Sequence, residues 1–179
     1  MTFSEKTLDD LDIHLATLVV IPARGGSKGL PKKNIRLLHN RPLINWTISM
    51  AEALNLDCVA LSSDDDQILG IAGQFRSCMS VRRPAELAKD DVVDQPVLIH
   101  ALCEAEKQTQ KRFERVVMLQ PTAPGRSREQ VVRALELHAS LPHPEQSSVW
   151  SVMQVPLQFN ALKQISATAK GYSVPRPSH

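Results

Sequence analysis

The chain has 179 residues and a formal net charge of +2, and its aromatic residues are few: four Phe, two Trp and one Tyr. This length suits one domain with a hydrophobic core and is short for two. The near balance of charge and the scarcity of aromatic rings argue against a general nucleic-acid surface with stacking platforms.

Apolar and amphipathic segments alternate along the chain. Residues 1–16 predict a leader without the continuous apolar core of a signal peptide. Five short apolar runs follow, separated by longer amphipathic stretches, as expected of βαβ units with a mostly parallel sheet. The predicted strands are TLVVI, DCVALSS, SCMSV, RVVMLQ and SVWSV, and the predicted helices cover residues 42–54, 64–75, 94–108 and 127–141. This order predicts a three-layer α/β/α sandwich over residues 17–153 and an irregular end over residues 154–179.

Three of the predicted helices begin with recognisable signals. Ser127 and Gln130 match a capping box. Asp94 is placed to cap the third helix, with Pro96 in its first turn. The acidic run 64–66 opens the second helix, where carboxylates complement the helix dipole. A metal-binding cluster is the alternative interpretation of that run.

The cysteines indicate a reducing compartment. Cys58, Cys78 and Cys103 have neither the even number of a disulfide framework nor the spacing of a CxxC zinc half-site. No apolar run in the sequence is long enough to cross a bilayer. We therefore expect a cytoplasmic protein without membrane or nucleic-acid partners, whose thiols are buried.

The loop after the first predicted strand concentrates positive charge. Its basic residues are Arg24, Lys28, Lys32 and Lys33, and its glycines are Gly25, Gly26 and Gly29. Glycine lets the backbone approach a ligand, and the basic side chains supply donors suited to phosphate. Because ligands of open α/β sheets bind beyond the carboxyl ends of the strands, this loop predicts a phosphate-binding cradle. A solvated basic loop is the alternative.

The spacing of this loop excludes two common phosphate-binding motifs. A P-loop requires GxxxxGK[ST], but Leu30 follows Gly29. The dinucleotide fingerprint requires GxGxxG, which Gly25, Gly26 and Gly29 do not form. The cradle therefore belongs to another type of site for a small polyanion.

Three separated motifs carry a family resemblance. The segments IPARGGSKGLPKKNIRLL, RRPAELAKDD and LQPTAPGRS resemble, in order and spacing, the acylneuraminate cytidylyltransferases, or CMP-sialic acid synthetases, and their relatives acting on other nonulosonic acids. The resemblance covers residues 17–172. It implies a nucleotide-diphospho-sugar transferase fold, a homodimer, and transfer of CMP from CTP to a nine-carbon sugar acid, with Mg²⁺ and release of pyrophosphate.

The resemblance also implies roles for individual residues. The implied catalytic residues are Arg24, Lys28 and Lys33, which would neutralise the triphosphate and the departing pyrophosphate. The implied nucleotide-binding residues are Arg24, Gly25, Gly26, Ser27, Lys33, Asn34, Arg83 and Asp94. Gln120 and Arg126 are implied to bind the sugar acid, although Gly125 replaces the family's usual leucine. A pairing of Arg83 with Glu86 and helix capping by Asp94 are the structural alternatives.

The sequence departs from the family after the third motif. Family members continue through a segment that supplies an Asp-x-Asp magnesium site and much of the dimer arm. No Asp-x-Asp follows the third motif in this sequence, so no metal ligands are predicted. Two functions stay open: a cytidylyltransferase weakened by truncation, and a non-catalytic nucleotide-binding or partner-binding remnant. A CMP-Kdo-type nucleotidyltransferase is a third, less favoured interpretation.

Overall fold

The computed structural model describes residues 15–27, 29–152, 166–168 and 171–173. Its strands are β1 (Thr17–Pro22), β2 (Leu37–Leu38), β3 (Arg41–Pro42), β4 (Cys58–Ser63), β5 (Cys78–Arg82), β6 (Arg115–Met118), β7 (Ser166–Thr168) and β8 (Gly171–Ser173). Its α-helices are α1 (Leu43–Ala53), α2 (Asp66–Ala72), α3 (Asp94–Thr109) and α4 (Arg128–Ala139). Short 3-10 turns cover Lys33–Ile35, Ala85–Ala88 and Pro144–Gln146.

A four-stranded sheet of order β5-β4-β1-β6 forms the centre, and all its pairings are parallel. The chain moves outward from β1 to β4 and β5 and then returns past β1 to β6. Because parallel crossovers are right-handed, this reversal places α1 and α2 on one face of the sheet and α3 on the other. The described elements thus form the predicted α/β/α layers.

The core lies on both faces of β1, because successive side chains of a strand point to opposite sides. Leu18 and Val20 pack in one cluster with Ala101 and Ala105 of α3. The alternate side chain Val19 is also fully buried. On α1 and α2, the buried residues include Ile44, Ile48, Ile68 and Ala72. Neither face of the sheet is therefore exposed to solvent at β1.

The chain divides into two compact units, Met1–Arg133 and Ala134–His179. The first contains the parallel sheet, and the second contains the antiparallel pair of β7 and β8. The predicted borders at residues 16/17 and 153/154 stay predictions. No helix among the described residues is both long and apolar enough to span a bilayer.

The structure confirms four predicted strands, four predicted helices and the capping box. Gln130 N–H donates to Ser127 Oγ over 3.4 Å, and Ser127 N–H donates to Gln130 Oε1 over 3.0 Å. The fifth predicted strand, SVWSV, is wrong: residues 148–152 form no strand, and Trp150 is 68% exposed. A β-branched run has strand propensity, but it needs a neighbouring strand for its backbone hydrogen bonds.

Two further local differences concern turns. The prediction that Asp94 caps α3 is wrong, because Asp94 is the first helical residue and Val93 occupies the cap position without a side-chain bond. The hairpin of β2 and β3 was not predicted. Its two-residue turn, His39 and Asn40, has positive φ at both positions, as in the mirror-image turns that join tight hairpins.

Candidate functional site

The candidate site lies where the chain reverses direction in the sheet. β1 has β4 on one side and β6 on the other, and the connections after β1 and β5 run in opposite directions. Such a switch point opens a crevice beyond the carboxyl ends of the strands. A pocket of about 280 Å³ lies there, lined by the loop after β1, by residues between Arg83 and Val97, and by residues after β6.

Most of the predicted site residues meet in this pocket. The predicted residues that line it are Arg24, Ser27, Lys33, Asn34, Arg83, Asp94 and Gln120. Gly26 lines an adjoining cavity of about 250 Å³, together with Arg24 and Ser27. Gly25 and Arg126 line neither cavity, and Lys28 lies outside the described residues. The structure therefore joins three sequence motifs into one concave surface.

Hydrogen bonds fix the loop after β1. Ala23 N–H donates to the Ser62 carbonyl at the end of β4 over 2.9 Å. The buried Asn34 side chain donates from Nδ2 to the Arg24 carbonyl over 3.0 Å. Asn34 thereby holds the two ends of the loop together. Its amide supports the backbone beside Arg24, which is a role in shaping the cradle.

Gly25 is required by its contact with the acidic end of β4. Its N–H donates to Asp64 Oδ1 over 2.9 Å. A Cβ added at Gly25 would lie 2.7 Å from the Cβ of Asp65, closer than real Cβ atoms come. Asp65 itself caps α2 by accepting from Gln67 N–H and Ile68 N–H. The glycine at this position therefore serves close backbone packing.

Asp64 positions the cradle, a role that was not predicted from the sequence. Asp65 and Asp66 do open α2, as predicted, but Asp64 precedes the helix and reaches the loop after β1. Its place directly after a buried strand was the available signal, because the carboxyl ends of β1 and β4 are neighbours. Asp64 thus links the cradle to the adjacent strand.

Arg83 is the buried cation of the pocket and is only 5% exposed. Its Nη2 donates to the Ser62 carbonyl over 2.9 Å and its Nε donates to Ser62 Oγ over 3.2 Å. Burial lowers the pKa of Arg83, while the nearby Asp64 carboxylate opposes that shift. The guanidinium stays charged, since arginine does not deprotonate in proteins. The alternative pairing with Glu86 is wrong, because Ser62 holds the side chain.

A second part of the pocket lining, here called the opposite or exposed wall, consists of the exposed residues Lys89, Asp90, Asp94 and Gln120. Arg24 Nη1 forms an ion pair with Asp90 Oδ1 over 2.6 Å, and Lys89 and Asp90 line the pocket. Gln120 Nε2 donates to Asp94 Oδ2 over 3.4 Å. Lys89 and Asp90 were missed, although they lie within the second family motif. The pocket therefore combines cations with carboxylates and an amide.

Arg126 lies apart from the pocket lining. Its Nη1 is buried without a hydrogen-bond partner, and burial lowers its pKa. Its backbone N–H closes the turn after β6 by donating to the Ala123 carbonyl over 3.2 Å. The predicted contact between Arg126 and the sugar acid stays a prediction.

The described residues do not form a ready-made site for a divalent cation. No group of three or more His, Cys, Asp or Glu residues among them could hold a metal. Asp64 accepts from the Gly25 backbone, Asp65 caps α2, and Asp66 pairs with Arg82. Magnesium needs carboxylates and phosphate oxygens together, and these acids already serve as structural acceptors.

The fold and the pocket define the class of this protein. An open parallel sheet with a glycine-containing basic loop at its switch point is a scaffold for binding phosphorylated ligands. Arg24, Lys33 and Arg83 can stabilise several negative charges at once, and Asp94 can accept from ligand hydroxyl groups. This is an α/β protein whose pocket has the donors expected of a nucleotidyltransferase.

The chain belongs to the cytidylyltransferase family, whose family model, described as "Cytidylyltransferase", matches residues 18–166. This confirms the resemblance of the three motifs. The chain is 39% identical over 127 residues to the CMP-N,N'-diacetyllegionaminic acid synthase of Legionella pneumophila, across 68% of this chain and 52% of that protein. It is 33% identical over 125 residues to the N-acylneuraminate cytidylyltransferase of Escherichia coli O18:K1:H7, across 69% of this chain and 28% of that protein.

A solved structure supports the fold. The chain aligns with CMP:2-keto-3-deoxy-manno-octonic acid synthetase complexed with CTP, with a TM-score of 0.52 and 20% identity, over 70% of this chain and 48% of the other. This likeness assigns the nucleotide-diphospho-sugar transferase fold. The chain spans about half the length, or less, of the curated relatives it matches.

Proposed function

We propose that this chain binds CTP in the switch-point pocket and serves the transfer of CMP to a nonulosonic sugar acid. The anomeric hydroxyl oxygen of the sugar forms a bond to the α-phosphorus of CTP. The bond from that phosphorus to the bridging oxygen breaks, pyrophosphate leaves with the bonding electrons, and the hydroxyl proton passes to solvent. The products are a CMP-sugar and pyrophosphate.

One observation carries the proposal: cations from two separate sequence motifs line the same pocket in the described part of the chain. Arg24 and Lys33 come from the loop after β1, and Arg83 follows β5. Phosphoryl transfer needs its negative charge stabilised by donors that are already in place. Arg83, held by Ser62, is such a preorganised donor, and Lys33 adds a further positive charge.

The names of the relatives support a substrate class. The names of two matched relatives specify a legionaminic acid derivative and an N-acylneuraminate. Both are nine-carbon sugar acids, so we infer a substrate of that class. Gln120 and Asp94 also line the pocket, and we propose that they face the sugar and the ribose.

Cofactor, assembly and location complete the proposal. We propose that magnesium binds together with CTP. Asp64 and Asp66 are not proposed as its ligands, because both already make structural bonds. A homodimer and a cytoplasmic location, both predicted from the family resemblance or the sequence, remain part of the proposal.

Calorimetry with CTP and ATP, followed by a pyrophosphate-release assay, tests the function. We expect CTP to bind at least tenfold more tightly than ATP, and pyrophosphate to appear when N-acetylneuraminate or a legionaminic acid is added with Mg²⁺. Binding of CTP without release of pyrophosphate would support the non-catalytic alternative. Equal binding of CTP and ATP would refute the cytidine assignment.

A further inference from the structure

The ion pair between Arg24 and Asp90 occupies the position that the proposed function gives to phosphate. Arg24 Nη1 and Asp90 Oδ1 are 2.6 Å apart, and both residues line both cavities at the cradle. The carboxylate therefore binds one of the cations that the ligand needs. Neither side chain is deeply buried, with exposed fractions of 34% for Arg24 and 40% for Asp90.

We propose that Asp90 is a specificity-determining residue of this pocket, a resident carboxylate that a polyphosphate must displace from Arg24. The inference rests on the proposed polyphosphate-binding function and goes further, because it assigns a role to a residue of the opposite wall. It makes the cradle selective for ligands with several charges. A ligand with one charge must compete with the Asp90 carboxylate, which is already bound to Arg24.

The physical basis is competition within one chain. Asp90 is tethered beside Arg24, and a tethered group acts at an effective concentration on the order of millimolar. A single carboxylate or chloride ion offers Arg24 the same type of contact without that advantage. A polyphosphate contacts Arg24 and Lys33 together, so it can replace the internal bond and gain further contacts.

The exposure of the pair keeps the competition reversible. Exposed ion pairs are weak, because water and salt screen both charges. Arg83 gives the contrast: two buried hydrogen bonds hold its guanidinium in place, and both go to Ser62 and not to a carboxylate. The pocket thus combines a fixed cation with a cation that is released by exchange.

Neighbouring residues provide matched controls. Asp91 has the same charge, is exposed and does not line either cavity. Asp90→Asn keeps the shape of the side chain but removes its charge, and Asp91→Asn removes an equal charge one residue away. Circular dichroism and thermal melting of both variants establish that they are folded before binding is compared.

The experiment is calorimetric titration of inorganic pyrophosphate into the full chain, Asp90→Asn and Asp91→Asn. We expect pyrophosphate to bind about fivefold more tightly to Asp90→Asn, the upper range for an exposed pair, and less than about twofold more tightly to Asp91→Asn. The gain should disappear in the Arg24→Ala background, because the competition acts through Arg24. A structural effect of Asp90 would persist in that background.

Three outcomes would overturn the assignment of Asp90. They are unchanged or weaker pyrophosphate binding by Asp90→Asn, an equal gain in Asp91→Asn, and a gain that survives Arg24→Ala. The proposed function is judged separately by the preference for CTP over ATP. Pyrophosphate carries no base, so a failed cytidine preference leaves the test of Asp90 intact.

Discussion

The two walls of the pocket are held in different ways. The loop after β1 is fixed by bonds from Ala23 to Ser62, from Gly25 to Asp64 and from Asn34 to the Arg24 carbonyl. The opposite wall includes the exposed residues Lys89 and Asp90, and Asp90 reaches across to Arg24. Breaking a part-buried hydrogen bond costs more than breaking an exposed ion pair. We infer that the fixed wall supplies affinity and the exposed wall supplies selectivity.

Gly25→Ala should break the fixed wall and have the largest effect. The new Cβ would lie 2.7 Å from Asp65 Cβ, which belongs to the capping residue of α2, so the loop or the helix must move. We expect the free energy of unfolding to fall by about 3 kcal/mol, the upper range for overpacking. Urea denaturation of both proteins measures this difference in the free energy of unfolding.

The control for that prediction is Gly26→Ala, because no atom lies within 4 Å of a Cβ added there. Its free energy of unfolding should change by less than about 1 kcal/mol, the ordinary scale of a surface substitution. If both alanine variants are equally stable, the close approach of Gly25 and Asp65 does not constrain the loop.

Lys33→Ala should weaken CTP binding at the fixed wall without unfolding the protein. Lys33 lines the pocket, and removing a charged donor to phosphate should lower the CTP binding free energy by about 2 kcal/mol. The matched control is Lys32→Ala, because Lys32 bonds to Gln67 and does not line the pocket. Calorimetry that finds equal losses in both variants would reduce the role of Lys33 to general electrostatic attraction.

The fixed wall was more predictable from sequence than the exposed wall. Arg24, Gly25 and Lys33 stand close together in one loop after a buried strand, so local pattern and strand polarity were sufficient. The contact of Gly25 with Asp64 joins residues 39 positions apart, and no local pattern encodes such a contact. The pairing of Arg24 with Asp90 likewise depends on the order of strands in the sheet.

The same distinction explains the wrong strand and the wrong cap. Residues 148–152 have the composition of a strand, but pairing depends on an available neighbour, which composition does not report. Asp94 has the composition of a cap, yet the helix begins one residue earlier than a capping role allows. The capping box at Ser127 and Gln130 was predictable because both partners lie within one turn.

Asp64→Ala should loosen the fixed wall by a smaller amount. The Gly25 N–H would lose its acceptor, and a lost hydrogen bond of this type costs about 1 kcal/mol in the free energy of unfolding. Asp64→Asn should recover most of this loss, since its side-chain oxygen can still accept. The control is Asp66→Ala, which removes an exposed carboxylate paired with Arg82. Chemical denaturation that ranks Asp66→Ala as the more damaging change would contradict the positioning role of Asp64.

Gln120→Ala should have the smallest effect on fold and CTP binding, because the exposed side chain makes one long bond of 3.4 Å to Asp94. We expect the melting temperature and the CTP affinity to stay close to those of the unchanged chain, while the KM for the sugar acid rises. Gln95→Ala is the control, since Gln95 is exposed beside Asp94 but does not line the pocket. A large loss of thermal stability would show that Gln120 holds the fold. A loss confined to CTP affinity would move Gln120 from the sugar side of the pocket to its nucleotide side. The exposed wall would then contribute affinity as well as selectivity, and the division between the two walls would fail at this residue.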